Sequence, residues 1–469
     1  MKNNNNNHFR IAFVSGKLGD VDGVSLEVDK WISILTEMGH EVYTIAGKYG
    51  TTLKSIPEEN QILFEKIRFG SPEQHNYETH FFPHLYRFPP HHSWEKRTEV
   101  LENLEAEGTE VANQLLEKLQ RHNIDVLVAQ NTNAMPMTLL GGMGIYKLAT
   151  EQRIATIFHH HDFWWERSRF SSNHIEQLLG QIMPPVAPGL EHIVLSSYAA
   201  HILSSIKRVA PIVVPNCEDF DRAVVKDDYN TDFRQELGFK ETDILVVQPT
   251  RIVRRKRIQD SVELVGRLLA KYPSLSDRVK FVVSLYQGDE PDENYEEEIT
   301  RLANQRGVSL HLISERIASE RTNDSQGRKL YTNRDVLANA DIVTYLPIWE
   351  GFGNALLEAI AAKVPVVTTA YLVYKTDIKL SGFDNIEIRD NYDDEGRLII
   401  PERIVDEMYR VITNREVRAT MVEKNFRIGK REFGFKTLRS KLDFVLNDYG
   451  DEIRASRKRI EKGKLPYSV

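Results

Sequence analysis

The sequence predicts an α/β fold made of two successive doubly wound domains, and three observations carry the prediction. Its 469 residues exceed what one hydrophobic core ordinarily organises, so two domains are expected. Short apolar runs alternate with segments of helical periodicity, the pattern of strand–helix–strand units around a parallel sheet. That alternation breaks at a polar, acidic stretch near 215–241 and then starts again, as a hinge between two such domains would make it.

The elements follow in order. FRIAFVS (9–15) reads as a buried parallel strand. Val24, Val28, Trp31, Leu35 and Met38 then recur at spacings of three and four, the stripe of an amphipathic helix closed by Gly39. EVYTIAG (41–47) is the next strand. Residues 48–100 break the rhythm with a His-, Pro- and aromatic-rich stretch (HFFPHLYRFPPHHSW, 80–94), read as a long ordered insertion. Helical pattern returns from about 99 to 121, followed by the strands IDVLVAQN (124–131), RIATIFHHH (153–161), HIVLSS (192–197) and APIVVPN (210–216). The second alternation has DILVVQPT (243–250), a helix over 258–271, KFVVSLY (280–286), a helix over 294–306, VSLHLI (308–313), DIVTYLP (341–347), a helix near 354–362 and VPVVTT (364–369). The segment 402–449 reads as helices. The first domain is therefore expected over 8–215, completed by the C-terminal helix at about 430–469, and the second over 216–429. Residues 1–7, an asparagine run, read as a disordered leader.

Composition excludes several classes. An apolar fraction of 41% with 28% charged residues describes a globular chain. No apolar run approaches the roughly 20 residues that span a bilayer, and the start lacks the apolar core of a secretory signal. Cys217 is the single cysteine, so an intrachain disulfide or an all-cysteine metal site is impossible. A net charge of −7 argues against nucleic-acid binding. A cytoplasmic location fits these features.

Four motifs carry chemistry. Trp349-Glu350-Gly351-Phe352-Gly353-Asn354-Ala355-Leu356-Leu357-Glu358 follows a strand and opens a helix. Its glycines let backbone approach a ligand closely, and the helix N-terminus favours an anion. Arg251 and Lys256 sit at the junction after the first strand of the second domain, while Arg254, Arg255 and Arg257 beside them are expected to be solvated. His159-His160-His161-Asp162 ends a strand. Neighbours on a strand alternate faces, so three consecutive histidines do not converge on one ion and no metal site is expected. The turn Gly16 to Ser25 contains Lys17, Gly19, Asp22 and Gly23 without the spacing of a dinucleotide fingerprint. Its Asp20-Val21-Asp22 stands before a helix and is read as coincidence rather than a metal motif.

The Glu350-to-Glu358 segment, with Arg251 and Lys256 and with His161 (His160 second), resembles the signature of glycosyltransferase family 4. The likeness covers about 9–440 and implies the GT-B fold, two Rossmann-like domains facing across a cleft. It further implies a retaining hexosyltransferase that takes mannose or glucose from a nucleoside diphosphate sugar (GDP-mannose or UDP-glucose). Implied as catalytic are His161, Glu350, Arg251 and Lys256, and as donor-binding Gly351, Phe352, Gly353, Asn354, Ala355 and Glu358. No tightly bound cofactor is implied; a metal is not essential, and Mg²⁺ is allowed. The chain departs from the family at 371–379 (YLVYKTDIK), where a Gly-Gly and an acidic residue are usual, and at the single Gly288.

The acceptor side is assigned to Lys17, Gly19, Asp22 and Gly23 with Trp164, Trp165, Arg167 and Arg169. Indoles stack on sugar faces and guanidinium groups hold carboxylates or phosphates. An alternative reading makes the tryptophans core and the arginines surface. The expected acceptor is small, polar and anionic, such as a sugar phosphate or a glucosyl-phosphoglycerate. A basic tail (454–464) leaves weak membrane-surface association open, and a homodimer is open too. Rival readings are a GT-B glycoside phosphorylase, a sugar-nucleotide hydrolase or epimerase, and a non-catalytic sugar-nucleotide-binding subunit.

Overall fold

The computed structural model describes residues 8–20, 22–50, 53–85, 90–285 and 293–462. The leader expected over 1–7, Gly288 and the last residues of the basic tail lie outside them. The chain separates into two compact units: one takes the chain up to Pro215 and again from Leu438, the other runs from Asn216 to Thr437.

The first unit is built on a seven-stranded sheet of β1 (Arg10–Ser15), β2 (Glu41–Ala46), β3 (Gln61–Leu63), β4 (Val126–Gln130), β5 (Thr156–His160), β6 (Leu190–Val194) and β7 (Ile212–Val213), in the order β3-β2-β1-β4-β5-β6-β7. Every pairing is parallel; Ile11, for example, faces Val42 on one side and Val126 on the other. Strands with neighbours on both edges and helices on both faces must be apolar throughout, which is why Ile11 to Val14 are completely buried. The chain runs outward from β1 and then returns to place β4 on β1's other edge. Loops diverge there, opening a crevice at the carboxyl ends of the strands.

The insertion over 48–100 is more regular than its sequence suggested. It contains β3, the helix Pro72–Phe81 and the start of the long helix Trp94–His122, which packs Leu104, Val111, Leu115 and Leu119 into the core. The C-terminal helices Phe435–Asp448 and Gly450–Lys462 close this unit. Ser456 Oγ accepts from the Ala155 amide at 2.8 Å, and Arg457 Nη2 holds Asp125 Oδ2 at 2.6 Å.

The second unit carries β8 (Ile244–Gln248), β9 (Val279–Val283), β10 (Leu310–Leu312), a hairpin of β11 (Thr322–Asn323) and β12 (Lys329–Leu330), then β13 (Ile342–Tyr345), β14 (Val366–Thr369) and β15 (Ile386–Ile388). Its main sheet is parallel with order β10-β9-β8-β13-β14-β15, so the crevice opens between β8 and β13. Both units are thus Rossmann-like α/β folds, as the sequence predicted.

Candidate active site

The strongest sequence motifs meet at the crevice of the second sheet. β8 ends at Gln248, and the chain turns through Arg251 and one tight helical turn, Arg254–Lys256, before the helix Ile258–Lys271. Gln248 pins this turn, its Nε2 donating to the Lys256 carbonyl at 2.9 Å. β13 delivers the neighbouring turn from Tyr345 through Glu350 and Gly353 into the helix Asn354–Ala361. The Ile348 amide joins the two turns by donating to the Arg255 carbonyl at 3.1 Å.

Glu350 Oε1 accepts from Lys256 Nζ and, at 3.2 Å, from Arg255 Nη1. The three side chains are only 11%, 12% and 19% exposed respectively. Such a desolvated pair is held by geometry as much as by charge. Lys256 also lies 5.5 Å above the ring of Tyr345, whose phenol is raised well above its ordinary pKa by burial and then by the charge of Glu350. Burial lowers the Lys256 pKa to about 8, against the pull of Glu350; Arg255 and Arg251 push it the same way as burial. Two cations, Lys256 and Arg255, therefore share one carboxylate at the carboxyl end of the sheet, and Arg251 adds its field at Lys256.

Gly353 explains the glycine pattern. Its φ of +138° lies where side chains are strained, and a Cβ there would stand 2.3 Å from the Tyr371 hydroxyl. That hydroxyl donates to the Phe352 carbonyl at 2.7 Å, so a buried phenol holds the turn that starts the helix. Asn354 opens the helix and its Oδ1 accepts from Asn216 Nδ2 at 2.7 Å. Glu358, one turn on, accepts from Asn333 Nδ2 at 2.8 Å, and Ser284 Oγ secures Asn333 at 2.9 Å. Gly351 and Ala355 are half-buried along this rim. The Phe352 ring is buried and packs edge-on to Phe433, leaving its backbone rather than its ring at the turn.

In the first unit β5 brings the histidines out in alternation. His159 and His161 lie on one side, ring centroids 4.4 Å apart, and His160 on the other, 3.0 Å from His192 Nδ1 through its Nε2. Trp31 stacks on His159 at 4.4 Å. Gln130, at the end of β4, has Oε1 3.0 Å from His159 Nδ1 and 3.2 Å from His161 Nε2. A carbonyl oxygen only accepts, so both nitrogens carry their protons there. Burial holds His161 down to about 4 against the raising effect of Asp162. Burial also pushes Glu166 up to about 7, with its bond from the Phe163 amide opposing. Among the described residues no group of three or more His, Cys, Asp or Glu could hold a metal ion.

The residues assigned to an acceptor are mostly engaged. Asp22 caps the helix Gly23–Glu37, accepting from the Val24 and Ser25 amides at 3.0 Å, and Lys17 pairs with Asp20 at 3.0 Å. Gly19, with φ +82°, allows its turn to lie against Gly50. Arg167 Nε donates to Asp162 Oδ2 at 2.9 Å, and Arg169 lies over the Phe170 ring. Trp164 is 8% exposed, packs in the core and donates through Nε1 to the Met183 carbonyl at 2.9 Å. Trp165 stacks on Phe163 at 4.6 Å. The alternative reading, tryptophans in the core, describes Trp164.

Comparison with known proteins adds to this geometry. The profile of the glycosyl transferases group 1 family matches residues 230–426. Mannosylglucosylglycerate synthase of Thermotoga maritima is 32% identical over 444 residues, covering 92% of this chain and 97% of the relative. The chain is a glycosyltransferase of the group 1 family. The mannosylglucosylglycerate synthase of Petrotoga mobilis is 30% identical, over 87% of this chain and 91% of its own. In fold, this glycosyltransferase is similar to HepE of Anabaena, solved with UDP-glucose, at a TM-score of 0.62 and 14% identity over 94% of this chain and 100% of that one. That likeness shows the GT-B fold.

Sequence reasoning missed three parts of this candidate site. Arg255, expected to be solvated, reaches Glu350, whereas Arg254 is exposed on Glu298 and Arg257 pairs with Asp260 at 2.6 Å. Arginines in a row give no sign of which one turns inward. Tyr371 lies in the stretch that departs from the family, yet it determines the geometry of Gly353. Asn333 comes from a helix, Asn333–Asn339, that no motif marked. No described helix is long and apolar enough to cross a membrane.

Proposed function

We propose that this glycosyltransferase moves a hexose, mannose or glucose, from a nucleoside diphosphate sugar (GDP-mannose or UDP-glucose) to a small anionic sugar acceptor of the glucosylglycerate class. Two features support the reading: the names of the curated relatives, and the cation cluster around Glu350 beside the helix that begins at Asn354. The observation that carries it is that Lys256 and Arg255 hold Glu350 in the turn that leads into that helix, with Arg251 acting on Lys256, so positive groups are available where a diphosphate's charge would develop as it leaves.

In this reading Lys256 and Arg251 hold the diphosphate together with amides at Gly353 and Asn354. Glu350, anchored by Arg255, accepts from hydroxyls of the sugar, and Glu358, steadied by Asn333, from the ribose. His161 is neutral across the physiological range and serves as a hydrogen-bonding group toward the sugar, neither nucleophile nor acid. With no nucleophile invoked, the leaving phosphate takes the acceptor proton on the face from which it departs, and configuration is retained. A metal is dispensable because the arginines and lysine supply the positive charge.

The test is thermal unfolding with GDP, UDP, ADP and their sugar conjugates in chelator, then transfer to glucosylglycerate with the product anomer read by NMR. A nucleotide at 100 times its dissociation constant stabilises by about 2.7 kcal/mol. A shift confined to one base names the donor. No shift with any nucleotide, with or without Mg²⁺, removes the proposal, and an inverted anomer removes retention.

A further inference from the structure

An anionic acceptor needs a cation in the first unit, and the two arginines that the sequence offered are engaged: Arg167 on Asp162 and Arg169 over Phe170. Another guanidinium meets the need. Among the described residues, four arginines have a buried Nε that lacks a hydrogen-bond partner: Arg97, Arg234, Arg255 and Arg459. Three of them are paired with Asp341, Glu350 and Glu452 through their other nitrogens. Among the described residues Arg97 has no ion pair. A guanidinium drawn partly out of water without a counter-ion is costly, and an incoming anion offsets that cost.

The surroundings are built the same way. Ser93 caps the helix Trp94–His122, its Oγ accepting from the Lys96 amide at 3.2 Å. His92 stands just before the cap and Arg97 at the fourth helical position, the two places whose side chains meet across a capped helix start. His92 Nε2 is also buried without a partner, and its ring stacks on His80 with centroids 3.7 Å apart. His80 is anchored through Nδ1 to the Asn76 carbonyl at 2.7 Å. His174 arrives from the segment that begins at His161: its amide donates to the Phe81 carbonyl at 2.9 Å, while Phe170 of the same segment meets Phe82 edge-on at 5.2 Å.

Among the described residues, no carboxylate figures among the groups that shift these imidazoles. Burial lowers His92, followed by His80, Arg97, His91 and Lys96; burial lowers His174, followed by Arg97. The nearest acids along the chain are turned away, Glu95 onto Ser93 and Glu99 onto Lys96 at 2.9 Å.

We propose that Arg97, with His92 and His174, is the binding site for the carboxylate of the acceptor, an activity-bearing role for the 48–100 insertion. The identity of the anion rests on the transferase reading above; the existence of the site does not. Arg97 supplies a forked pair of donors and the imidazoles supply N–H groups, while the first turn of the long helix adds its positive end.

The test uses the whole chain, saturated with its nucleoside diphosphate, and follows binding of glucosylglycerate and of uncharged glucosylglycerol by calorimetry. Arg97→Met weakens the charged ligand on the order of 10–100-fold, the worth of a hydrogen-bonded charge. It leaves glucosylglycerol and the nucleotide unchanged, and Arg97→Lys restores part of the loss. An Arg97→Met chain that folds, binds nucleotide and keeps native affinity for glucosylglycerate overturns the proposal. Failure of every nucleotide to bind counts against the transferase reading alone. The site is then read with inorganic phosphate: thermal stabilisation lost in Arg97→Met supports an anion site, and equal stabilisation of both chains overturns it. Phosphate binding at Arg97 combined with indifference to glucosylglycerate overturns the acceptor assignment.

Discussion

The ammonium of Lys256 donates to Oε1 of Glu350, 94 residues away in the chain, and Arg255 donates to the same oxygen. Under the proposed function, an anion entering here would compete with Glu350 for Lys256, while Arg255 would stay paired with the carboxylate.

The charge on Lys256 gives a pH signature. Its pKa is lowered to about 8, first by burial, whereas an unfolded lysine titrates near about 10.4. Between these values the unfolded chain holds the extra proton, so this group adds stability as pH rises through the window and withdraws it below. If Lys256 holds the diphosphate as proposed, nucleoside diphosphate affinity should run the other way, because it would require the charged form. Calorimetry should show it weakening above about pH 8, by at most about tenfold per unit. Lys256→Arg should flatten the profile. Lys256→Ala should lose on the order of 10²–10³ in transfer rate with the fold retained.

Two adjacent arginines should behave differently. Arg255→Met removes one of the cations that hold Glu350 and leaves Lys256 in place, and the expected result is weaker donor binding with a lowered rate in steady-state kinetics. Arg254→Met removes an exposed pair with Glu298, and its effect on stability should stay within about 1 kcal/mol, with kinetics unchanged. Equal effects from both would refute the special placement of Arg255.

Gly353→Ala adds a methyl 2.3 Å from the Tyr371 hydroxyl at a φ of +138°. The expected outcome is a lowered unfolding midpoint together with loss of nucleotide binding, since the helix start must move. Tyr371→Phe forfeits one hydrogen bond, about 1 kcal/mol, and should keep binding. Combining the two removes the clash but leaves the backbone strain, so the double variant should recover only in part.

Acid should act on the first unit through its histidines. His159 and His160 are held well below their ordinary pKa, and His161 and His192 down to about 4, burial being the largest cause in each. From pH 6.5 toward 4 the unfolded chain binds more protons than the folded one, so stability falls as pH drops through this window. Denaturant midpoints between about pH 7 and about pH 4.5 measure it. His192→Gln should soften the acid side, and an unchanged slope would count against a neutral His160–His192 pair.

Trp164→Ala should cost about 3–5 kcal/mol, the figure for an aromatic lost from a core. Acceptor affinity measured on the surviving folded fraction should be near native, because the indole faces the core and the Met183 carbonyl rather than a ligand.

Much of the candidate site's geometry was readable in the chain because strand–turn–helix motifs carry their geometry locally. Glu350, Gly353 and Asn354 are placed by one turn, and Arg251 and Lys256 by another. Alternation along β5 separated His160 from its neighbours before any coordinates did. What could not be read was a contact formed between distant segments: Arg255 inward and Arg254 outward, Tyr371 beneath Gly353, Asn333 on Glu358. β3, a three-residue edge strand between tight turns, and the hairpin β11–β12 carry too little periodicity to announce themselves.

The sequence by itself determined the fold class, since buried parallel strands must be apolar on both faces and that pattern is written residue by residue. It also determined which turns carry charge and glycine at the strand ends. Only the tertiary structure decided which charges meet. Lys256 and Arg255 share Glu350 because β13 is hydrogen-bonded beside β8 in the sheet, and Arg167 is committed to Asp162 while Arg97 has no acid partner among the described residues. Pairing depends on which neighbours the sheet order brings together, a property no single stretch of chain contains.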